Sequence, residues 1–209
     1  LPSAFRLEGQ VGGSAPVKTI EYSVRTKAPV LVSRLDGDPN TAISHDHIPG
    51  STLRGTLIAA EVAAGASRDR LLDQAPFFFD ESARFLNAYP ADESWQPYRP
   101  TPLSWFVEKG DSDFVYDLAI DGNESLDRPV GPPGAYTRES DDDDEAAFYP
   151  SSDRRELSVH TFRNRRKGRP VPRGSADGAP GAVFRYEALA PHQTFVAQVV
   201  CKTAEVAAR

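Results

Sequence analysis

Ile48-Pro49-Gly50-Ser51-Thr52-Leu53-Arg54-Gly55-Thr56-Leu57 decides how this chain is read, because these residues combine a chain break, a helix start and a basic anion site. Pro49 and Gly50 interrupt what precedes them, and Ser51 is placed to act as N-cap. Leu53, Leu57, Ala60 and Ala64 then recur at helical spacing until Gly65 ends the pattern. The spacing predicts an amphipathic helix of about four turns. Its first turn offers unpaired backbone N–H groups and the positive end of the macrodipole, beside which Arg54 adds a full charge. Gly55 weakens a helix by roughly 1 kcal/mol relative to alanine, which predicts that another backbone comes close there. A plain helix start with Gly55 packed on a strand would give the same spacing.

Upstream, Val17 to Thr26 alternates Ile20, Tyr22 and Val24 with polar residues, the pattern of a half-buried strand, and Ala28 to Val32 extends it past Pro29. Residues 1–16, rich in Gly, Ser and Pro, read as a loose arm. Downstream, Ser67 is placed to cap a short second helix through Leu72, and Phe77, Phe78 and Phe79 supply an apolar plug. Strands are expected at Ala83 to Tyr89, Leu103 to Val107, Phe114 to Ala119, Leu157 to Phe162, Ala182 to Leu189 and Thr194 to Lys202. Pro90 to Pro102 reads as an ordered loop. Residues 121–153, with Pro132-Pro133-Gly134 and the run Asp141 to Asp144, read as a mobile irregular insertion whose composition opposes a packed core. One early helix followed by many strands favours an α+β domain.

The 209 residues suffice for a real core, and 26% charged with 39% hydrophobic residues is ordinary globular composition. No apolar run approaches the ~20 residues that cross a bilayer, and Leu1 to Arg6 lacks a signal-peptide layout, so a cytoplasmic location is expected. Cys201, the single cysteine, lies in an apolar strand-like run and reads as an inert core thiol. The net charge of −6 is unevenly spread. Six acids and no base lie between Glu139 and Glu145, a solvated tip, whereas Arg154 to Arg173 holds eight Lys or Arg against the single acid Glu156.

Asp36 and Asp38 are close enough to hold a divalent metal or to activate a 2′-hydroxyl, although Asp-Gly-Asp-Pro-Asn is also ordinary turn chemistry. His45-Asp46-His47 could give two metal nitrogens but lacks the third and fourth ligands that zinc needs, so it reads as a solvated loop and no metal or other cofactor is assigned. Arg163, Arg165, Arg166, Lys167 and Arg169 form a cationic loop beside the strand carrying His160, suited to phosphate contact. Tyr89, Trp95, Tyr98, Trp105 and Tyr186 offer faces on which bases could stack, with Trp105 and Tyr186 equally placed for a core.

Ile48 to Gly55 resembles the IPGSSLRG signature of the RAMP superfamily, the RNA-binding subunits of CRISPR effector complexes. Four further segments, in order, resemble the type III-D subunit family called Csx ten, of the Cas five group. They are Arg84-Phe85-Leu86-Asn87-Ala88-Tyr89-Pro90, Arg99-Pro100-Thr101-Pro102-Leu103-Ser104-Trp105 with Lys109, Val159-His160-Thr161, and Val183-Phe184-Arg185-Tyr186-Glu187-Ala188-Leu189 followed by Phe195. The resemblance spans roughly residues 20 to 200. It implies a ferredoxin-like, RNA-recognition-motif-like RAMP domain over residues 17–209 with long loop insertions. It also implies a role in antiviral defence, gripping the guide RNA (crRNA) at its 5′ handle and docking on neighbouring effector subunits, with target RNA close by. The division of labour expected on physical grounds is that Gly50, Ser51, Thr52 and Arg54 at the helix start hold a phosphate, the Arg163–Arg169 loop beside His160 tracks the strand, and tyrosines near Tyr89 stack bases. Two other readings stay open: a Mg²⁺-dependent endoribonuclease cutting target RNA through Asp36 or Asp38, as Cas seven group subunits do with a loop aspartate, or a non-catalytic scaffold. The lack of methionine, and of the glycine-rich segment that RAMP proteins carry near the C-terminus, leads us to expect the N-terminal half of a larger protein.

Overall fold

A computed structural model describes residues 17–34, 40–120, 127–132, 134–139, 146–149, 154–161, 163–164, 169–170 and 183–208. The chain runs β1 (Lys18–Arg25), β2 (Thr41–Ile43), α1 (Gly50–Ala63), α2 (Arg68–Asp73), α3 (Ala75–Phe78), β3 (Ala83–Phe85) and β4 (Tyr89–Ala91). It continues through β5 (Arg99–Pro100), β6 (Trp105–Glu108), β7 (Asp111–Asp117), β8 (Pro129–Val130), β9 (Tyr136–Glu139) and β10 (Ala146–Phe148). The last part holds β11 (Arg155–Thr161), β12 (Arg163–Asn164), β13 (Arg169–Pro170), β14 (Val183–Leu189), β15 (Thr194–Cys201) and α4 (Ala204–Ala207). Strands in small sheets with few helices make this an α+β architecture, as the sequence suggested. No helix among the described residues is long and apolar enough to cross a membrane.

The main sheet is built on β15, which has neighbours on both edges and no exposed residue along its length. β1 pairs antiparallel along its whole length, from Lys18 opposite Cys201 to Arg25 opposite Thr194. Its alternation works as expected, with Ile20, Tyr22 and Val24 half-buried and the intervening residues exposed. On the other edge β3 and β4 also pair antiparallel with β15, so β1 and β3 run parallel to each other with β15 inserted between them and α1 in the connection. This is a split β-α-β arrangement.

Ala83 to Tyr89 is not the single strand its sequence suggested. Val199 faces Phe85 and Val196 faces Tyr89, so Leu86, Asn87 and Ala88 stand opposite only Ala197 and Gln198. One extra residue makes a bulge. Ala88 turns away from β15 and pairs instead with Ile48, donating to its carbonyl at 2.8 Å and accepting at 3.0 Å. The bulge thus fastens the loop that delivers the chain into α1. Around this point lies the larger core, Val32, Ile48, Leu53, Ala88, Leu189, Phe195 and Ala197. A second cluster holds Ala83, Val199, Cys201 and Val206, with Phe77 and Phe85 edge-on at 5.3 Å. Cys201 is fully buried and burial pushes its thiol pKa up, which fits an inert core thiol.

The two C-terminal strands form as read, but they are not a hairpin ladder. β14 is the centre of a second sheet, antiparallel to β11 and parallel to β2, while β15 centres the first. The turn between them is locked by buried Thr26 and Gln193: His192 N donates to Thr26 O at 2.7 Å, and Gln193 Nε2 donates to Arg154 O at 2.7 Å. Residues 28–32 form no strand, only an isolated bridge from Val30 to Leu189. The plug of phenylalanines is uneven, with Phe78 buried and Phe79 exposed. Ser67 caps α2 as expected, accepting from Arg70 N at 3.2 Å.

The insertion at 121–153 departs from its reading as irregular and without a core. Its described parts hold β8, β9 and β10, and β9 joins β5 to β10 in a sheet of its own. Tyr136 and Tyr149 are buried there with Tyr98 in a third cluster. Tyr136 and Tyr149, isolated in a charged stretch, give no periodic signal, yet with Tyr98 from the preceding loop each buries a large ring area, and that outweighs the local polarity.

Candidate nucleic-acid interface

α1 begins at Gly50, one residue before the expected cap. Pro49 occupies the N-cap position and makes no side-chain capping bond, so Ser51 lies inside the first turn and is not the cap. A cap is supplied from outside: Asn87 Oδ1, in the bulge, accepts from Gly50 N at 3.1 Å. Thr52 N and Leu53 N both donate to Pro49 O, at 3.0 and 3.2 Å. Among the described residues this leaves Ser51 as the one first-turn residue with an unpaired N–H. Ser51, Thr52 and Arg54 are exposed, and Arg54 makes no ion pair among the described residues. The helix start therefore presents one N–H, two hydroxyls and a guanidinium to solvent, a smaller anion site than a fully uncapped helix would give.

The close backbone approach expected at Gly55 occurs at Gly50 instead. A Cβ on Gly50 would lie 2.0 Å from Phe85 O and 2.6 Å from Phe85 C, whereas a Cβ on Gly55 would meet nothing within 4 Å. The apolar stripe of α1 is also less buried than its spacing suggested, because the helix rests on the sheet by its first turn only. Leu53 is buried while Leu57 is 42% and Val62 54% exposed.

His45-Asp46-His47 is not a solvated loop. It is half-buried and held by side chains from other segments, Arg34, Tyr136 and Arg155. Asp46 pairs with Arg34 at 3.3 Å and with Arg155, which reaches Glu187 at 3.0 Å and donates to Ser44 O. Arg185 closes the chain of charges on Glu187 at 3.5 Å. His47 Nδ1 shares a hydrogen bond with the Tyr136 hydroxyl at 3.1 Å, and the His45, His47, Tyr89 and Tyr136 rings follow one another at 5.1, 5.8 and 5.9 Å. Burial, then the charges of His45 and Arg34, hold the His47 pKa below its ordinary value against the opposing pull of Asp46. Burial pushes the Tyr136 phenol up. Sequence reasoning missed this network because its members lie far apart in the chain and no spacing connects them.

Of the expected site residues, Gly50, Ser51, Thr52 and Arg54 share the first turns of α1, whereas Tyr89 stands on β4 after the bulge with its ring against those of His47 and Tyr136. His160 is exposed on β11, its ring 5.4 Å from that of Tyr186, on the second sheet. Arg163 and Arg169 lie in paired backbone, β12 against β13. Arg165, Arg166 and Lys167 lie outside the described residues, as do Asp36 and Asp38. No group of three or more His, Cys, Asp or Glu among the described residues could hold a metal ion. No protein-family model matches the chain, and no curated protein is similar enough to count as a relative.

Proposed function

We propose that this chain is a guide-RNA-binding subunit of a type III CRISPR effector complex, of the RAMP superfamily and closest in kind to the Csx ten family of the Cas five group. The observation that carries the reading is Ile48–Leu57 itself. The segment that resembles the superfamily signature stands where a loop, bridged at Ile48 to Ala88, enters α1 through a glycine that admits no side chain, with its polar residues turned to solvent. The split β-α-β arrangement is half of a ferredoxin-like unit, in keeping with that resemblance. In this reading Ser51, Thr52 and Arg54 take one phosphate, the Arg163–Arg169 loop follows the backbone, and the protein works in the cytoplasm beside other effector subunits and target RNA. Such contacts position RNA without reading its sequence. They require no catalytic group.

The test is a fluorescence-anisotropy titration with a short single-stranded CRISPR-repeat RNA at several salt concentrations, comparing the wild type with Arg54→Ala, Arg165→Gln, Arg166→Gln. Loss of three phosphate contacts should weaken binding and lower the slope of log affinity against log salt by roughly two to three units. An unchanged slope would remove the contact assignment. A scaffold reading is favoured by one observation, the exposed Leu57 and Val62 on α1, and gains if effector assembly is unaffected in the triple variant.

A further inference from the structure

Three long strands, β1, β7 and β11, lie at the edges of their sheets. An edge offers unpaired N–H and C=O groups to any other strand, and charged residues normally guard it. β1 carries Lys18, Glu21 and Arg25, and β7 carries Asp111, Asp113 and Asp117. β11 is different. Its seven residues pair with β14 in unbroken register, with no bulge or proline to blunt the edge. Arg155 is drawn into ion pairs with Asp46 and Glu187, while Leu157 and Val159 are 53% and 59% exposed. Val183, 55% exposed, stands opposite Thr161 and diagonal to Val159, so the three make an apolar strip on one face of the sheet.

The hydrogen bonds of β14 show which groups of β11 face outward. Arg185 N donates to Asn40 O, and Ser44 N donates to Glu187 O, so Arg185 and Glu187 direct their backbone groups to the β2 side. Phe184, Tyr186 and Ala188 then direct theirs to His160, Ser158 and Glu156 of β11. The N–H and C=O groups of Arg155, Leu157, Val159 and Thr161 therefore point away from β14, and among the described residues nothing bonds to them. This edge is complementary to itself. Antiparallel pairing about a twofold axis at Ser158 joins outward-facing residues only to one another, Leu157 to Val159 of the second copy and Arg155 to Thr161, as a ladder requires. The same register sets Glu156 against His160 of the second copy on the opposite face and brings no like charges together. Moving the axis to Leu157 or Val159 shortens the ladder and parts Glu156 from His160. We propose that two copies of this chain pair through β11 about Ser158, joining their three-stranded sheets into one continuous sheet. The pairing involves no RNA and is independent of the function proposed above.

The contact is smaller than the ~20–30 residues a side of a standard interface, so sedimentation velocity on the full chain, freed of nucleic acid, should show a weak dimer half-formed at roughly 10–100 µM. Val159→Pro removes an outward N–H and leaves the ladder to β14 intact, so the far-UV circular dichroism spectrum should be kept while the dissociation constant rises at least about tenfold. Val159→Lys keeps the N–H, puts a charge into the apolar strip of each copy and should weaken the dimer in the same direction. Register is read by cross-linking, because the single native thiol, Cys201, is fully buried. At the axis two copies of residue 158 stand about 4.5 Å apart between Cα atoms, within disulfide range, whereas two copies of residue 156 are roughly 13 Å apart. In a glutathione redox buffer Ser158→Cys should therefore run as a covalent dimer and Glu156→Cys as a monomer. A chain that stays monomeric up to roughly 300 µM, a dimer that both Val159 variants leave intact, or Glu156→Cys linking as readily as Ser158→Cys would each overturn the proposal. A monomeric chain from which Val159→Pro releases a different protein would assign the edge to that protein instead of a second copy.

Discussion

Two glycines five residues apart in one motif should respond to alanine in opposite directions. At Gly50 the added methyl would sit 2.0 Å from one backbone carbonyl oxygen and 2.9 Å from the next, those of Phe85 and Leu86. Neither can rotate aside, so α1 must move off β3 by more than 1 Å, on the order of the overlap itself. Overpacking of this kind costs about 1–3 kcal/mol. The same shift stretches the Gly50–Asn87 hydrogen bond, worth about 1 kcal/mol, and loosens Leu53, the one side chain by which α1 is buried. Better helix propensity returns under 1 kcal/mol, leaving a net loss of roughly 2–3 kcal/mol from a total of about 5–15. For a chain of this size that is a fall of roughly 4–12 °C in melting midpoint. At Gly55 there is nothing to strike, so alanine should raise stability by about 0.5–1 kcal/mol. Urea titration followed by far-UV circular dichroism measures both. A Gly50→Ala protein within 0.5 kcal/mol of wild type, or a Gly55→Ala protein less stable than wild type, would refute the assignment of the close contact.

Asn87→Ala should leave the Gly50 N–H without its acceptor and lower stability by about 1–2 kcal/mol, read as a shift in urea midpoint at constant m value; no shift would mean that water caps the helix equally well. His47 carries a lowered pKa in the folded protein, so the unfolded chain binds more protons as pH falls below 6.5. Its contribution is therefore present above that value and lost as pH drops through the folded pKa. His47→Asn should flatten the stability profile on the acid side, and an unchanged profile would exclude His47 as its source. Arg155→Met should strip Asp46 and Glu187 of their shared cation and lower the melting midpoint more at low salt than at high, since part of the network is solvent-exposed.

The elements legible in the sequence were those whose forces act locally. β1 announced itself by alternation, α2 by Ser67, the end of α1 by Gly65, and β11, β14 and β15 by runs of β-branched and aromatic residues. Local order also located the break before α1. Three things depended on contacts between distant segments, and only the tertiary structure decided them. Which glycine touches backbone was settled by the bulge at Leu86–Ala88, because an extra residue opposite β15 pushes Phe85 O toward Gly50. Which residue caps α1 was settled by the same bulge, which brings Asn87 where Ser51 was expected to serve. And His45-Asp46-His47 changed from a polar loop to a half-buried network because Arg155, Tyr136 and Glu187 close on it from other strands. Periodicity records which face of an element is apolar, whereas desolvation and charge pairing are set by whatever the fold lays against that face.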